Sequence, residues 1–405
     1  MYRFGQEELD AIARVVQSRQ WFRYGNPAAG HLQETATFEQ ELAAFAGVKH
    51  ACFMTNGTAA LMAATAGLQL GPGSECIIPG YTWIASALAP MMMGVIPVIV
   101  DVDDTLTISP AAIEAAITPR TRAIYPVHMA GLAADMDAIM ALAKKHHLFV
   151  IEDACQCDGG LWHDGRRLGS IGDLGAYSFN AFKVISCGEG GALLANDDDT
   201  FQRATIFHDA GCNFFGQQPT LPMFGGMLGR ANEIMAAMIR VQLTRLPAII
   251  ADLHKNRRLL DAAIAPALTL MPRNGGANTG TGTTTGISFA DEPAARAFLA
   301  AYAADPRSAG APAMLPIDSG RHVYSNWEVL MEKRGSYHPD LDPFRHPKNA
   351  ASKIDYRPDM LPATLARLRR TVLISINPDW TAADITNIAS AIRAAATQPI
   401  LAPGI

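Results

Sequence analysis

A chain of 405 residues is long enough to bury more than one small hydrophobic core, so two domains are expected. Hydrophobic residues make up 49% and charged residues 18% of the sequence, a balance that excludes a largely disordered chain. The formal charge of -5, without any run of Lys or Arg, argues against a nucleic-acid partner.

The cysteines and the apolar segments of the sequence indicate the cellular compartment of the protein. Six cysteines in a chain of this length do not form a disulfide scaffold, and the Cys155–Cys157 spacing does not suit zinc. We therefore predict no metal site and a reducing, cytoplasmic location. The N-terminus lacks the pattern of a signal peptide. The uncharged stretch Cys76 to Val100 is divided by prolines and glycines, which predicts buried α/β core and no membrane contact.

The first half of the chain alternates between helical and strand-like segments. An amphipathic helix is predicted over Glu7 to Gln20, and a second from about Gln33 to Ala46. After that, short apolar runs alternate with helical stretches, which predicts a largely parallel sheet with helices on both faces. The predicted strands are His50 to Met54, Cys76 to Ile78, Ile96 to Val100, Ala123 to Val127, Leu148 to Ile151, Ala176 to Phe179 and Gly191 to Ala195.

The pattern changes after residue 230. Two helices are predicted, Glu233 to Leu246 and Ile250 to Ile264, with Pro247 between them. The low-complexity segment Asn274 to Gly286 is predicted to be an exposed loop, and Ala382 to Ala395 a closing helix. This change in pattern predicts a large domain over residues 1–249 and a smaller α+β domain over residues 250–405.

Four short motifs follow predicted strands, at the edge where open α/β sheets bind ligands. In Asn56 to Leu61, Gly57 allows close backbone approach, while Thr58 and the helix amides could bind a phosphate; a plain helix N-cap explains the same residues. In Pro79 to Trp83, the indole of Trp83 could stack on a pyridine ring, although core packing explains it equally well.

The third and fourth motifs carry ionisable groups. Asp153 ends a buried apolar strand, where a protonated pyridine nitrogen would offset the cost of burying its charge. The alternative is an Asp that caps a helix. Lys183 lies five residues after Ser178 and just before a glycine-rich turn, which suits an amine that bonds to the aldehyde of pyridoxal 5'-phosphate (PLP), with Ser178 near the phosphate. A surface lysine before a turn is the other interpretation.

Pattern and order together resemble the DegT/DnrJ/EryC1/StrS family of PLP-dependent sugar aminotransferases. The resemblance extends over roughly residues 30 to 250. The stretches that carry it are Asn56 to Leu61, Ile117 to Thr121, Val127 to Gly131, Glu152 to Gln156, Gly172 to Phe179, Lys183 and Gly188 to Gly191.

This resemblance implies a type I PLP-dependent transferase fold and an active site shared across a homodimer. It implies that Lys183 bonds to the cofactor and moves the proton between substrate and cofactor, and that Asp153 pairs with the ring nitrogen. It further implies that Trp83 stacks on the ring, that Gln156 lies near the ring hydroxyl, and that the phosphate is held by Gly57, Thr58 and Ser178.

The sequence departs from the family pattern at one position. The family usually has Gly-x-Asn-x-Arg before the long helix, with the Asn reaching the partner's phosphate. Here Gly226 and Arg230 match, but Leu228 replaces the Asn, and an apolar side chain cannot donate to phosphate. Either Arg230 or Asn232 substitutes, or the cofactor is held more weakly, or the chemistry has changed.

The predicted activity is a ping-pong transfer of an amino group from glutamate or glutamine to a keto or aldehydo sugar, or to a cyclitol-like acceptor. Arg23 or Arg230 could bind the donor carboxylate, and His128 and His322 could lie near the substrate. The other interpretations are surface arginines and packed or solvent-facing histidines. The alternative enzyme is a PLP protein of the same fold that performs elimination or carbon–carbon bond formation on an amino acid. A non-catalytic binding module is a third interpretation, which the intact Asp153 and Lys183 oppose.

Overall fold

A seven-stranded sheet forms the centre of the larger part of the molecule. The computed structural model describes residues 2–209 and 219–397. The strands are β1 (His50–Met54), β2 (Glu75–Pro79), β3 (Ile96–Val100), β4 (Thr121–Ile124), β5 (Phe149–Asp153), β6 (Leu174–Ser178) and β7 (Gly191–Ala195). Their order in the sheet is β1-β7-β6-β5-β4-β2-β3. Only β7 runs against its neighbours; the other paired strands are parallel, which confirms the predicted sheet.

Helices cover both faces of this sheet, so its strands are apolar on both sides. Every residue of β2, β6 and β7 is buried. At several helix starts a side-chain oxygen accepts from a backbone N–H, for example Asn56 Oδ1 from Ala59 and Asp135 Oδ1 from Ala138. The helices in this half are α1 (Gln6–Ser18), α2 (Glu34–Ala46), α3 (Gly57–Gly67), α4 (Ala85–Met92), α5 (Pro110–Ala116), α6 (Met136–His146) and α7 (Asp198–His208).

The predicted helix break at Pro247 is wrong. One helix of 32 residues, α8 (Glu233–Ile264), continues through the proline. A proline inside a helix costs about 3 kcal/mol through the lost backbone hydrogen bond and the ring clash. Here Leu246 and Ile249 on either side of it are almost completely buried, and two such side chains contribute about 3 to 6 kcal/mol. Burial on both sides of the proline therefore keeps the helix continuous.

A second, smaller sheet follows α8. Its strands β8 (Thr284–Ser288), β9 (Ala313–Met314) and β10 (Thr371–Ser375) are antiparallel, in the order β8-β10-β9. The accompanying helices are α9 (Glu292–Ala304), α10 (Glu328–Met331), α11 (Pro362–Arg370) and α12 (Ala382–Ala396). The division into residues 1–249 and 250–405 stays a prediction: residue 250 lies inside α8, and residues 1 and 398–405 lie outside the described ranges.

The Gly/Thr-rich segment 274–286 is exposed, as the sequence predicted, only over residues 275–278; the rest of it is buried or partly buried. Thr279, Thr281 and Thr285 are buried, and β8 begins within the segment. The N–H of Thr281 donates to the carbonyl oxygen of Gly131 at 3.1 Å, and Thr283 Oγ1 donates to the carbonyl oxygen of Ala130 at 3.2 Å. These bonds attach the second half of the chain to a loop of the large sheet, and they satisfy polar groups that burial would otherwise leave unpaired.

Two segments are apolar enough to raise the question of a membrane. Residues 76–100 form strand, helix and strand of the buried core, as predicted. Helix α8 has the length and the composition of a membrane-spanning helix. It packs, however, against α1, α2 and α12, and its buried face belongs to the main hydrophobic core. Its contacts are those of a core helix.

Candidate active site

One cavity of about 680 Å³ lies at the carboxyl ends of the parallel strands. Strands β5 and β6 end at its floor, helix α3 begins at its edge, and β8 and β10 of the smaller sheet contribute to its opposite wall. Eight of the predicted site residues line it: Gly57, Thr58, Trp83, Asp153, Gln156, Ser178, Lys183 and His322. The structure therefore brings all four sequence motifs to one place.

Asp153 is held at the cavity floor by neutral donors. It is the last residue of β5 and is 5% exposed. The Oγ of Ser86 donates to Asp153 Oδ2 at 2.6 Å, and the N–H of Cys155 donates to Oδ1 at 3.2 Å. Thr82 Oγ1 in turn lies 2.7 Å from Ser86 Oγ. Because these partners carry no charge, the carboxylate remains able to pair with a cation that enters the cavity.

The adjacent carboxylate of Glu152 points to the other side of β5 and has a structural role. It accepts from the backbone N–H groups of Gly169, Ile171 and Gly172 at 2.8, 2.5 and 2.7 Å. His128 Nε2 lies 3.0 Å from Glu152 Oε2. Successive side chains of a strand face opposite ways, so one carboxylate reaches the cavity while its neighbour fixes the loop 169–172.

His128 was predicted to lie near a substrate, and the structure does not place it there. Its side chain is completely buried and does not line the cavity. Nε2 contacts Glu152, and Nδ1 accepts from the N–H of Ala134 at 3.1 Å. Both ring nitrogens are thus occupied by protein groups.

Gly57, Thr58 and Ser178 form a small polar recess where α3 begins. A Cβ at Gly57 would lie 2.7 Å from Cys155 Sγ and 3.1 Å from Ser178 Cβ, so only glycine lets the helix approach β6 this closely. The first-turn amides of a helix lack intrahelical acceptors and carry partial positive charge. This recess has the donors that an anion such as phosphate requires.

Trp83 and His322 form one wall of the cavity. Their rings lie 5.1 Å apart at an angle of 53°, and 45% of Trp83 is exposed. Burial lowers the pKa of His322, and the charge of Lys183 lowers it further. His322 is therefore mainly neutral at pH 7. On another side, Gln156 Oε1 accepts from the N–H of Ala130 at 3.2 Å.

Lys183 lies on the loop between β6 and β7. The backbone N–H of Lys183 donates to the carbonyl oxygen of Asn180 at 2.9 Å. The backbone N–H of Ala181 donates to the carbonyl oxygen of Gly188, also at 2.9 Å. Gly188 has φ +89, a conformation that disfavours other residues. The loop thus returns on itself and presents the lysine to the cavity. Among the described residues, no hydrogen bond or ion pair engages its Nζ.

Comparison with known proteins now settles the family. Residues 3–279 match the model of the DegT/DnrJ/EryC1/StrS aminotransferase family. The chain belongs to this family. The prediction that it is an enzyme of the aminotransferase class is thereby confirmed, as is its fold.

Named relatives of this aminotransferase align with the same part of the chain. A 3-amino-5-hydroxybenzoate synthase from Amycolatopsis mediterranei is 35% identical over 67% of this chain and 69% of its own length. An L-glutamine:2-deoxy-scyllo-inosose aminotransferase from Streptoalloteichus tenebrarius is 37% identical over 64% of this chain and 62% of its own length. A GDP-perosamine synthase from Caulobacter vibrioides is 40% identical over 53% and 57%. The aligned part thus spans between 57% and 69% of the length of these relatives.

Solved structures match over nearly the whole aminotransferase chain. The crystal structure of a 3-amino-5-hydroxybenzoic acid synthase superimposes with a TM-score of 0.77 at 27% identity, covering 97% of both chains. An aminotransferase from Psychrobacter cryohalolentis gives a TM-score of 0.78 at 29% identity, covering 96% of both. The second half of the chain, which the family model covers only to residue 279, therefore shares the fold as well.

Neither arginine predicted to bind a donor carboxylate lines the cavity of this family member. Arg23 donates to Glu39 Oε1 at 2.6 Å and to the carbonyl oxygen of Phe53 at 3.0 Å. Burial favours loss of its proton, but Glu39, Cys52 and Tyr24 together outweigh this effect and raise the pKa of Arg23. Arg230 donates to Asp209 Oδ1 at 2.6 Å. Within one chain, both guanidinium groups are bound by carboxylates of the protein itself.

At the position where the family pattern has Asn, the side chain of Leu228 is 62% exposed. Asn232, considered as a substitute, instead begins α8, where its Oδ1 accepts from the N–H of Met235 at 3.0 Å. Arg230, the other possible substitute, has Asp209 as its partner. Neither residue reaches the cavity of its own chain.

Three polar groups that line the cavity or contact its lining residues were not picked out from the sequence motifs. Ser86, which binds Asp153, gave no signal because a serine early in a helix is ordinary. Thr283 came from a segment assigned as an exposed loop. Asp158 was detectable in principle, since it follows Asp153 by five residues in the same acid-rich turn, Glu152 to Asp158.

Proposed function

We propose that this family member binds PLP in the described cavity and transfers an amino group from glutamine or glutamate to a keto or aldehydo sugar, or to a cyclitol-like ring. One observation carries the proposal: Lys183, Asp153 and the helix-start recess at Gly57 line a single cavity. These are the three contacts that an aldehyde, a pyridine nitrogen and a phosphate would need.

The residues present fit the cofactor. The absence of a side chain at Gly57 keeps the recess open beside Ser178, and the indole of Trp83 faces the cavity with nearly half its surface free. When bound, PLP supplies an electron sink for a carbanion at the substrate carbon. Lys183 Nζ would hold and move the proton at that carbon, and Asp153 would keep a proton on the ring nitrogen. Trp83 would orient the ring and exclude water from one face.

The named relatives support the acceptor class. Two of them are named for 2-deoxy-scyllo-inosose and for its 3-amino-2,3-dideoxy counterpart, with L-glutamine as donor, and others are named for sugars. A ping-pong sequence is proposed, in which the donor leaves as its 2-oxo acid before the acceptor enters. The acceptor carbonyl then becomes a carbon that carries the amino group.

We further propose a homodimer in the cytoplasm. Trp21, Phe22 and Leu228 are between 46% and 62% exposed, and Phe22 lies against the Arg230 guanidinium. Apolar side chains exposed together are typical of surfaces that a partner covers. A second copy would also supply an arginine for the donor carboxylate, since no arginine is among the residues that line the described cavity. The described cysteines are free thiols, as in a reducing compartment: Cys52, Cys76, Cys155, Cys157 and Cys187.

The function is tested with glutamine labelled at its α-amino nitrogen. The purified, PLP-loaded protein is mixed with the labelled donor and a panel of polyhydroxylated cyclic ketones and keto sugars. We expect label in the aminated acceptor and one 2-oxo acid formed for each product molecule. Release of the label as ammonia, or a product without nitrogen, would instead support elimination or carbon–carbon bond formation.

A methyl group added at Gly57 is expected to close the phosphate recess. The Gly57→Ala variant should bind PLP at least about tenfold more weakly and lose about 1–3 kcal/mol of stability, because the added Cβ overlaps Cys155 Sγ. Equilibrium dialysis and chemical denaturation measure the two effects. The control is Gly225→Ala, whose added methyl meets no atom within 4 Å. Unchanged PLP affinity in Gly57→Ala would place the phosphate elsewhere.

A further inference from the structure

Asp158 is a buried acid in the cavity wall that the proposed reaction does not use. It is 1% exposed and lines the same cavity as Ser178 and Lys183. Its Oδ1 accepts from the backbone N–H of Ser178 at 3.0 Å. Its Oδ2 is buried without a hydrogen bond among the described residues. A carboxylate in this state is costly, since half of its charge lacks a donor.

The buried setting of Asp158 favours its protonated form. Burial raises the pKa of Asp158 to about 8, and the positive charge of Lys183 reduces this effect only in part. The two side chains do not form an ion pair. Burial also raises the pKa of the neighbouring thiols and phenol, so these groups stay neutral between pH 6 and 9. The titratable groups that interact with Asp158 are Lys183, Asp153, Cys155, Cys157 and Tyr177.

Asp158 is hydrogen-bonded to the backbone of Ser178, in the recess proposed to hold the phosphate. Asp158 Oδ1 accepts from the backbone N–H of Ser178. The Cβ of Ser178 would be only 3.1 Å from a Cβ added at Gly57, the first residue of α3. A phosphate in this recess and an ionised Asp158 would repel each other in a setting of low dielectric constant. A neutral Asp158 removes the repulsion and can donate through its free oxygen.

We propose that Asp158 is a positioning residue that must carry a proton for the recess at Gly57 and Ser178 to hold the phosphate of the cofactor tightly. This inference rests on the proposed function, because it assumes that the phosphate of PLP occupies the recess. By linkage, a group that must be protonated for binding weakens the affinity once the pH exceeds its pKa in the free protein.

The test measures binding of pyridoxamine 5'-phosphate, which carries the phosphate but has no aldehyde to react with Lys183. Dissociation constants are measured between pH 6 and pH 9 for the full chain freed of cofactor, and for Asp158→Asn. The amide keeps an acceptor for the Ser178 N–H but cannot titrate. The ratio of the two constants at each pH cancels the titration of the ligand itself.

We expect the wild-type dissociation constant to rise about tenfold relative to that of Asp158→Asn between pH 7 and pH 9, because the protonated fraction falls from about nine-tenths to about one-tenth. Pyridoxamine, which lacks the phosphate, should show a flat ratio. A purely structural role predicts a ratio that does not change with pH. Asp158→Ser, a second non-titrating variant, must show the same loss of pH dependence.

The outcomes separate this inference from the proposed function. A flat ratio for pyridoxamine 5'-phosphate, with binding intact, overturns the role of Asp158 and leaves the cofactor site standing. Failure of the wild-type chain to bind pyridoxamine 5'-phosphate at any pH overturns both proposals. A ratio that changes equally for pyridoxamine would also overturn the inference, because the effect would then not act through the phosphate.

Discussion

Replacement of Lys183 with alanine is expected to reduce the rate of amino transfer by about 10⁵-fold or more, with little change in stability. The amine is the nucleophile and proton carrier of the proposed reaction, and losing such a group removes most of the rate enhancement. The fold should persist because the hydrogen bond from Lys183 to Asn180 is made by the backbone N–H. Single-turnover formation of the 2-oxo acid from glutamine measures the effect.

Two further measurements make the Lys183 result specific. The visible absorbance of PLP bonded to the lysine should be absent from Lys183→Ala, while the unbonded cofactor can still enter the cavity. The matched control is Lys145→Ala, which removes an exposed ammonium paired with Glu114 at 2.6 Å and should leave both rate and absorbance unchanged. A Lys183→Ala enzyme within tenfold of wild type would show that another amine carries the reaction.

Removal of the Glu152 carboxylate is expected to cause the largest loss of stability among single changes near the site. Glu152 is fully buried and accepts from three backbone N–H groups and from His128. Glu152→Ala would leave these donors without an acceptor, at a cost of about 3–5 kcal/mol. Chemical denaturation of the cofactor-free protein measures the difference.

The amide variant distinguishes charge and hydrogen bonding from volume at this position. Glu152→Gln has nearly the same size, yet it turns an NH₂ group toward N–H donors, so it should also destabilise the protein, by about 1–3 kcal/mol. Glu114→Ala, at a partly exposed carboxylate on the surface, is the control and should change little. If Glu152→Ala were as stable as the wild type, the loop 169–172 would not depend on this carboxylate.

Much of the site could be predicted from the sequence because its motifs are local. Asn56 to Leu61, Asp153 and Lys183 each follow a strand, and parallel strands end at one edge of a sheet, so sequence order already implied spatial proximity. Gly57 was recognisable for the same reason, since a glycine at a strand–helix junction indicates close backbone approach.

The contacts that the sequence did not reveal depend on partners distant in sequence. The pairing of Arg23 with Glu39 joins residues 16 positions apart, and that of Arg230 with Asp209 joins residues 21 apart. No local pattern distinguishes an arginine with such a partner from a free one. Burial of Thr281 and Thr285, in a segment of exposed-loop composition, likewise follows from packing against another part of the fold.

The continuous helix α8 also has a consequence for cooperativity. At 1.5 Å per residue its 32 residues span about 48 Å. It packs on α1 and α2 near one end and on α12 near the other. Unfolding of the elements at either end of α8 would remove apolar contacts from a helix that both halves of the chain share. The two halves are therefore expected to unfold together. Cutting the chain near Pro247 would leave neither piece with a complete hydrophobic core.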